Sequence, residues 1–157
     1  MRDYEINKQT LAIISCGKEK SKIIEEDNEF FVNLPATKII DDSCKFFGSS
    51  YEGRLNGTKS ILGVSHKAPI IIEESNGIIF FPTTSPRLEN CAWIALNSIN
   101  DYYKTDIDTI IKFNCGKKIK LEVSYGIIDN QILRATRLEA LLAKRIDNYK
   151  KNIIFNK

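Results

Sequence analysis

The stretch PIIIEESNGIIFF, from Pro69 to Phe81, decides the fold class of this chain. Two short runs rich in isoleucine and phenylalanine flank the polar segment EESN, and a glycine follows that segment. Apolar, β-branched runs on either side of a short polar turn are typical of a β-hairpin. We therefore predict paired strands at residues 69–72 and 77–81, and with them an antiparallel sheet.

Further strands are predicted on both sides of this hairpin. Upstream, apolar runs separated by polar or glycine-containing turns favour strands at residues 4–6, 11–15, 22–25 and 29–33. Downstream, the pattern predicts a strand at residues 91–96 and a second hairpin formed by residues 109–114 and 117–123. In the return strand of that hairpin, apolar and charged residues alternate, which indicates that one face meets water.

Helical spacing appears first after Pro35. Apolar residues recur at Ile39, Ile40, Cys44 and Phe47, which predicts a helix ending near Gly48. Residues 50–62 fit either a second short helix or a loop, because two glycines and an asparagine weaken a helix there.

The longest element is predicted at the end of the chain. Residues 129–149 contain no glycine or proline, and Asp129 or Asn130 is suited to cap a helix there. One apolar stripe at helical spacing consists of Ala135, Leu138, Leu142, Ile146 and Tyr149. The sum is an α+β fold with antiparallel sheet, short central helices and a long C-terminal helix.

Length and composition point to a soluble globular protein. The chain has 157 residues, of which 43% are hydrophobic and 27% are charged. We predict a single domain over residues 1–150 with a short tail at residues 151–157. The first residues, MRDYEINKQT, lack the apolar core of a signal peptide, and no run approaches a membrane span, so a cytoplasmic location is expected.

The sequence contains few motifs of the kinds that form catalytic or metal sites. The single histidine, His66, has no nucleophile motif around it, and no glycine-rich phosphate loop is present. The four cysteines form no C-x-x-C pair, which disfavours a zinc site and favours reduced thiols, several of them in the core. Adjacent Asp41 and Asp42 are interpreted as a charge pair on a helix surface. We therefore expect neither catalysis nor a cofactor.

The positive charge is concentrated in the last third of the chain. The net charge is only +3, but residues 101–157 carry twelve lysines and arginines against seven acidic residues, which gives this segment +5. When residues 129–149 are wound as a helix, five polar residues fall within a wedge of about 100° beside the apolar stripe. They are Arg134, Arg137, Lys144, Arg145 and Asn148. A ridge along a phosphate backbone and a plain solvated face explain this wedge about equally well.

Two other segments combine cations with small residues. SSYEGRLNGTKS and the following SHKAP place Arg54, Asn56, Lys59, His66 and Lys67 among glycines and hydroxyls. Glycine permits close approach to a ligand, and these polar side chains contact phosphates and narrow grooves, although an ordinary surface loop fits equally. PTTSPRLENCAW offers Arg87 and neighbouring hydroxyls as phosphate contacts, whereas its Trp93 is expected in the core.

These segments also resemble the diagnostic blocks of one family. The stretches SCKFFGSSYEGRLNGT, SHKAPIII, FFPTTSPRLENCAWI and VSYGIIDNQILRA are similar, in order and spacing, to those of ComK-type competence transcription factors. The resemblance runs from Tyr4 to Arg145, nearly the whole chain. It implies an activator that recognises paired AT-rich boxes of double-stranded DNA largely through the minor groove, as dimers or higher oligomers on DNA.

The resemblance leaves two points open. Longer relatives continue into a basic and apolar tail through which a proteolytic adaptor controls their level. Two alternatives are open for this chain: that control is absent, or the short run Ile153 to Phe155 is its remnant. The alternative function is a protein-interaction module that heterodimerises with a full-length competence factor. No helix-turn-helix is evident in the sequence, which agrees with binding outside the major groove.

Overall fold

The computed structural model describes the backbone of residues 3–155 and the side chains of residues 3–152. The strands in that part of the chain are β1 (Thr10–Ser15), β2 (Ser21–Glu25), β3 (Glu29–Val32), β4 (Ile70–Glu73), β5 (Ile78–Pro82), β6 (Ala92–Ala95), β7 (Ile99–Lys104), β8 (Thr109–Phe113) and β9 (Lys118–Leu121). The helices are α1 (Ala36–Phe46), α2 (Tyr51–Leu62) and α3 (Tyr125–Phe155). The predicted α+β class is confirmed.

The strands form two antiparallel sheets. The larger has the order β3-β2-β1-β6-β5-β4, and the smaller has the order β7-β8-β9. Both predicted hairpins are present, with Ile70 opposite Phe80 in the first and Ile111 opposite Ile119 in the second. The two halves of the large sheet meet where β1 pairs with β6, which places Ile13 opposite Trp93.

The large sheet is covered on both faces. Alternate side chains of one strand therefore enter different cores, as β6 shows: Trp93 packs in the cluster with α1, and Ile94 packs in the cluster with α3 and the small sheet. Both side chains are fully buried, and burial of an apolar side chain of this size stabilises the fold by roughly 1.5–3 kcal/mol. The prediction that Trp93 belongs to the core is confirmed.

One predicted strand is absent, and one observed strand was not predicted. Residues 4–6 form no strand, because the backbone N–H of Ile6 donates to Ser43 Oγ at 3.0 Å and so pairs with α1. Strand β7 was not predicted, since Asn and Asp, which are uncommon in strands, are the second and third residues of its sequence INDYYK. It forms at the edge of the small sheet, with an irregularity in register between Ile99 and Asp101.

Residues 51–62 form a helix and not the alternative loop. Ser50 Oγ accepts the N–H of Gly53 at 3.0 Å, and Gly63, with φ of 71°, ends the helix in the left-handed region. Thr58 and Leu62 are buried against the rest of the protein. These caps and contacts outweigh the low helix propensity of the two glycines.

Helix α3 begins earlier and runs further than predicted. It starts at Tyr125, so Asp129 and Asn130 lie inside the helix and do not cap it. Asp129 instead accepts the hydroxyl of Tyr102 at 2.6 Å, and this hydrogen bond raises the pKa of Tyr102. The boundary predicted at residue 150 falls within the helix, and the side chains of Ile153 to Phe155 lie outside the described residues.

The carboxylate of Asp41 joins α1 to α2. Its Oδ1 accepts the backbone N–H of Tyr51 at 2.9 Å, and its Oδ2 pairs with Lys45 at 3.0 Å. These two interactions, the backbone bond first, lower the pKa of Asp41. Asp42 forms only a surface pair with Lys38, so the predicted surface role fits Asp42, whereas Asp41 also fixes the start of α2.

Asp41→Asn is expected to lower the free energy of unfolding at pH 7 by roughly 1 kcal/mol. The folded-state pKa of Asp41 lies below its unfolded value, so its contribution is present above the unfolded pKa and is lost as the pH falls through the folded pKa. The variant should therefore lose less stability than the wild type between pH 5 and pH 2. Urea unfolding across that range measures this, with Asp42→Asn as the matched control. Equal acid dependence in Asp41→Asn and wild type would contradict the role.

Candidate nucleic-acid interface

The loop between α2 and β4, residues 63–69, is held on α3 by a buried amide. The Nε2 of Gln131 donates to the carbonyl oxygen of Lys67 at 2.8 Å and to that of Pro82 at 2.7 Å. The Gln131 side chain is fully buried. One side chain on α3 therefore fixes both the loop and the end of β5.

Arg134, one turn further along α3, strengthens this junction. Its Nη1 donates to the carbonyl oxygen of His66 at 3.0 Å and lies 3.3 Å from Gln131 Oε1. Lys67 adopts φ of 51°, a left-handed conformation that is uncommon outside glycine and asparagine. The imidazole of His66 is exposed and the side chain of Lys67 is half-buried, so the loop presents both at the surface.

Helix α2 leads directly into this loop and packs against α3. Its buried side carries Thr58, whose hydroxyl donates to the carbonyl oxygen of Pro69 at 2.9 Å. The outward side carries the exposed Asn56 and Lys59 together with small residues. A Cβ added at Gly57 would meet no atom within 4 Å, so this part of the helix surface is open.

Arg54 lies differently from its neighbours. Its Nη1 forms an ion pair with Glu74 Oε1 at 2.6 Å, and its side chain is only 19% exposed. The contact of Arg54 with phosphates stays a prediction; in this structure one nitrogen of the guanidinium is engaged between α2 and the β4–β5 hairpin. Arg54 therefore holds α2 against the sheet.

The wedge predicted on α3 is at the surface. Arg137, Lys144 and Arg145 are exposed, and Arg134 is half-buried because of its bond to the loop. Helix α3 thus carries a row of cations that begins at the loop and runs toward the helix end. The loop, the outward side of α2 and this row together are called the basic surface below.

Arg87 and the start of α2 line the same open groove. Arg87 is exposed in the loop after β5, and the groove, of about 860 Å³, is also lined by Lys18, Lys38 and Lys45. Thr83 in the same loop is buried, and its Oγ1 accepts the N–H of Ala92 at 3.2 Å. Thr83, one of the hydroxyls suggested as phosphate contacts, is therefore not available at the surface, whereas the DNA contact predicted for Arg87 stays a prediction.

Two of the cysteine thiols are buried and therefore unreactive. Cys44 and Cys91 are buried, as the sequence predicted for several cysteines, and burial raises the pKa of Cys44 to about 11 and that of Cys91 above its usual value. Both remain protonated near neutral pH and are poor nucleophiles. Among the residues described, no group of three or more His, Cys, Asp or Glu side chains is placed to hold a metal ion.

No helix within residues 3–155 is both long and apolar enough to cross a bilayer.

Two features of the structure near this site were missed from the sequence. Gln131 precedes Ala135 by four positions and Leu138 by seven, so it is a polar residue on the apolar stripe, a signal for a buried hydrogen-bonding role. Helices α1 and α2 are joined by four residues, 47–50, including Gly48 with φ of 84°. Connections of four residues are found in helix-turn-helix motifs, although no such motif was evident in the sequence.

Comparison with known proteins gives two matches. The model of the ComK protein family matches residues 1–147. A protein of Bacillus subtilis (strain 168) named competence transcription factor is 40% identical over 152 residues, which cover 94% of this chain and 79% of that protein. No solved structure matches this chain.

Gln131→Leu is expected to lower the free energy of unfolding by about 2–3 kcal/mol, because two carbonyl oxygens lose a buried donor. Amide hydrogen exchange in residues 63–69 should also become faster, since the loop loses its attachment to α3. Asn130→Leu, at the exposed neighbouring position, is the control and should change stability by no more than about 0.5 kcal/mol. Equal stability losses in the two variants would show that the Gln131 amide does not hold this junction.

Proposed function

The chain belongs to the ComK family, and from this premise we propose that it is a transcription activator of competence genes that binds double-stranded DNA through the basic surface. The proposal extends to AT-rich boxes contacted largely in the minor groove, to a dimer or higher oligomer on DNA, and to residues 1–150 as one DNA-binding domain. It places the protein in the cytoplasm, at the nucleoid. It assigns no catalytic role and no cofactor.

The attachment of the 63–69 loop to α3 carries the proposal. Gln131 and Arg134 bond to two successive carbonyl groups of that loop and so fix His66 and Lys67 beside the cations of α3. A loop whose backbone is already fixed suits binding to a phosphate backbone, because little loop entropy is lost on binding. We propose that the DNA contacts are Arg54, Asn56, Lys59, His66, Lys67, Arg87, Arg134, Arg137, Lys144 and Arg145.

The outward side of α2 supports close approach to DNA. Gly53, Gly57 and Ser60 lie on it, so little side-chain bulk separates the backbone of α2 from a ligand. AT-rich minor grooves are narrow and strongly negative, and they attract Arg and Lys side chains that can reach them. We propose that α2 approaches the groove edge while the neighbouring cations contact phosphates or enter the groove. Arg54 supports α2 through Glu74.

Removal of single cations from the basic surface is expected to weaken DNA binding. Lys59→Gln and Arg137→Gln should each reduce affinity about three- to tenfold and lower the salt dependence by about one phosphate contact. Lys67→Asn should act similarly, because asparagine tolerates the left-handed backbone while removing the charge. Fluorescence anisotropy with AT-rich and GC-rich duplexes across a salt series measures both quantities. Displacement by netropsin, a minor-groove ligand, reports the groove used.

Lys22→Gln provides the matched control for charge. Lys22 lies on β2, at the end of the large sheet away from the strand that packs on α2. The Lys22→Gln substitution should leave the DNA affinity and its salt dependence unchanged. If the folded wild type binds neither duplex, the DNA proposal fails, and heterodimerisation with a full-length competence factor becomes the function to test. Binding insensitive to netropsin would instead place α2 in the major groove.

A substitution at Gly57 distinguishes an effect on the stability of α2 from an effect on DNA binding. Gly57→Gln is expected to raise the free energy of unfolding by roughly 0.5–1 kcal/mol, because glycine is a poor helix former and the added atoms meet open space. DNA affinity should nevertheless fall, about fivefold or more, because the new side chain holds α2 away from the duplex. Thermal unfolding and anisotropy on the same preparations provide the two measurements.

The control for this substitution is Gly126→Gln. Gly126 lies in the first turn of α3, and a Cβ there also meets nothing within 4 Å. This variant should be at least as stable as the wild type and should bind DNA with unchanged affinity. Unchanged affinity in Gly57→Gln as well would remove α2 from the proposed interface.

A further inference from the structure

Residues 143–152, the last ten of α3 whose side chains the structure describes, are all exposed and are called the α3 end below. They correspond to about 15 Å of helix. One side of the α3 end, with Ala143 and Lys150, faces the β4–β5 hairpin across an open groove. Ile146 and Tyr149, which the sequence predicted in the packed stripe, are 39% and 67% exposed, so that prediction was wrong for both. The α3 end thus turns most of its circumference toward solvent.

Charges are segregated around α3. At about 100° per residue, the wedge of cations described above continues into the α3 end, where it contains Lys144, Arg145, Asn148 and Asn152. The helix holds three acidic residues, which are Asp129, Glu139 and Asp147. Each of them lies at least about 60° outside the wedge. One side of the α3 end is therefore basic and amidic without any carboxylate.

The two cations in this part of the wedge are available to an anionic ligand. Among the side chains that the structure describes, no carboxylate forms an ion pair with Lys144 or Arg145. Asp147, outside the wedge, pairs instead with Lys151 at 3.3 Å. Unpaired cations on an exposed helix suit contacts to the phosphates of DNA.

Two asparagines stand among these cations, at exposed positions of a helix. Asparagine is a poorer helix former than lysine, glutamate or glutamine, so a face that served only solvation would favour those residues. A primary amide holds a donor and an acceptor side by side. This pair matches the N7 acceptor and the N6 amino group that adenine presents in the major groove of DNA. Asn148 has Lys144 and Arg145 about one turn before it, so its amide lies next to both phosphate-binding side chains.

The dimensions of the α3 end suit the major groove. An α-helix with its side chains is about 10–12 Å across, and the major groove is about 12 Å wide. Arg134, which bonds to the 63–69 loop, and Asn148 are separated by about 21 Å along the helix axis. Neighbouring grooves of a duplex lie about 17 Å apart, half of a helical turn of about 34 Å. A helix that starts at the edge of a minor groove can therefore reach the adjacent major groove with its end.

We infer that the α3 end enters the major groove adjacent to the groove contacted by the loop, and that the Asn148 amide reads an adenine there. Asn148 Nδ2 donates to adenine N7, and Asn148 Oδ1 accepts from the N6 amino group. Lys144 and Arg145 contact the phosphates that border this groove. The inference rests on the proposed function and deepens it, because it adds a residue that selects a base to cations that select only nucleic acid.

Duplexes that contain 7-deazaadenine test the inference, because they lack the N7 acceptor in the major groove and keep the atoms of the minor groove. Fluorescence anisotropy compares an AT-rich duplex with its counterpart in which 7-deazaadenine replaces every adenine. The wild type should bind the modified duplex about fivefold more weakly or worse, because Asn148 Nδ2 loses its acceptor. Asn148→Ala should bind the ordinary duplex about tenfold more weakly than the wild type does, and should bind the two duplexes equally.

Thr136→Ala is the matched control. Thr136 is exposed on α3 and lies about 120° around the helix from Asn148. Alanine is a better helix former than threonine or asparagine, so both variants should keep α3 folded, which circular dichroism verifies. Thr136→Ala should retain the affinity of the wild type and its preference for the ordinary duplex.

Failure of the inference and failure of the proposed function give different results. A wild type that binds both duplexes equally well overturns the major-groove contact and leaves the proposed DNA binding intact, even if Asn148→Ala binds more weakly. Equal sensitivity to the loss of N7 in Asn148→Ala and in the wild type assigns the contact to another residue and overturns the role of Asn148. A folded wild type that binds neither duplex contradicts the proposed function, and the inference with it.

Discussion

The buried amide of Gln131 is the constraint on which the arrangement of the other elements depends. Its two N–H groups satisfy carbonyl oxygens from a loop and from the end of β5, at 2.8 and 2.7 Å, inside an otherwise apolar layer. Hydrophobic contacts between α3 and the sheet supply most of the attraction, but such contacts tolerate sliding and rotation. The amide tolerates neither, because any shift leaves buried oxygens without a donor. The register of α3 on the sheet is thereby fixed, and with it the position of every cation on the helix.

Local patterns predicted the elements whose stability is local. The hairpin of residues 69–81 has apolar strands and a polar turn, so its sequence specified the pairing, although not the irregularity in register between Ile71 and Glu73. The junction of β1 with β6 joins residues about eighty positions apart, and no local pattern encodes such a pairing. Residues 4–6 show the converse case: their apolar pattern suits a strand, yet the N–H of Ile6 bonds to Ser43 on α1. In both cases tertiary contacts decided between conformations that the local sequence left open.

The candidate site was predictable by residue type but not by arrangement. The exposed cations of α3 follow from helical geometry alone, whereas the ion pair of Arg54 depends on Glu74, which lies twenty residues further along the chain. Thr83 shows the same limit, since a threonine in a polar loop looks available until its hydroxyl accepts a backbone N–H from β6. Gln131 was detectable in principle, because a polar residue on an apolar stripe must find a buried partner. Its partners, Lys67 and Pro82, were not.

Helix α3 carries two patterns on its surface, an apolar stripe and a row of cations. Near its start, the stripe from Ile128 to Leu138 is buried and binds the helix to the sheet; near its end, the same stripe continues into water at Ile146 and Tyr149. A chain that needed only a packed helix would be expected to end the apolar pattern where the core ends, since exposed large apolar side chains add nothing to the stability of a monomer. The cations follow a separate path, beside the stripe and never on it, over the whole exposed length. Because one rigid helix carries both patterns, the angle between them fixes how a partner on the stripe would orient the cations toward any DNA.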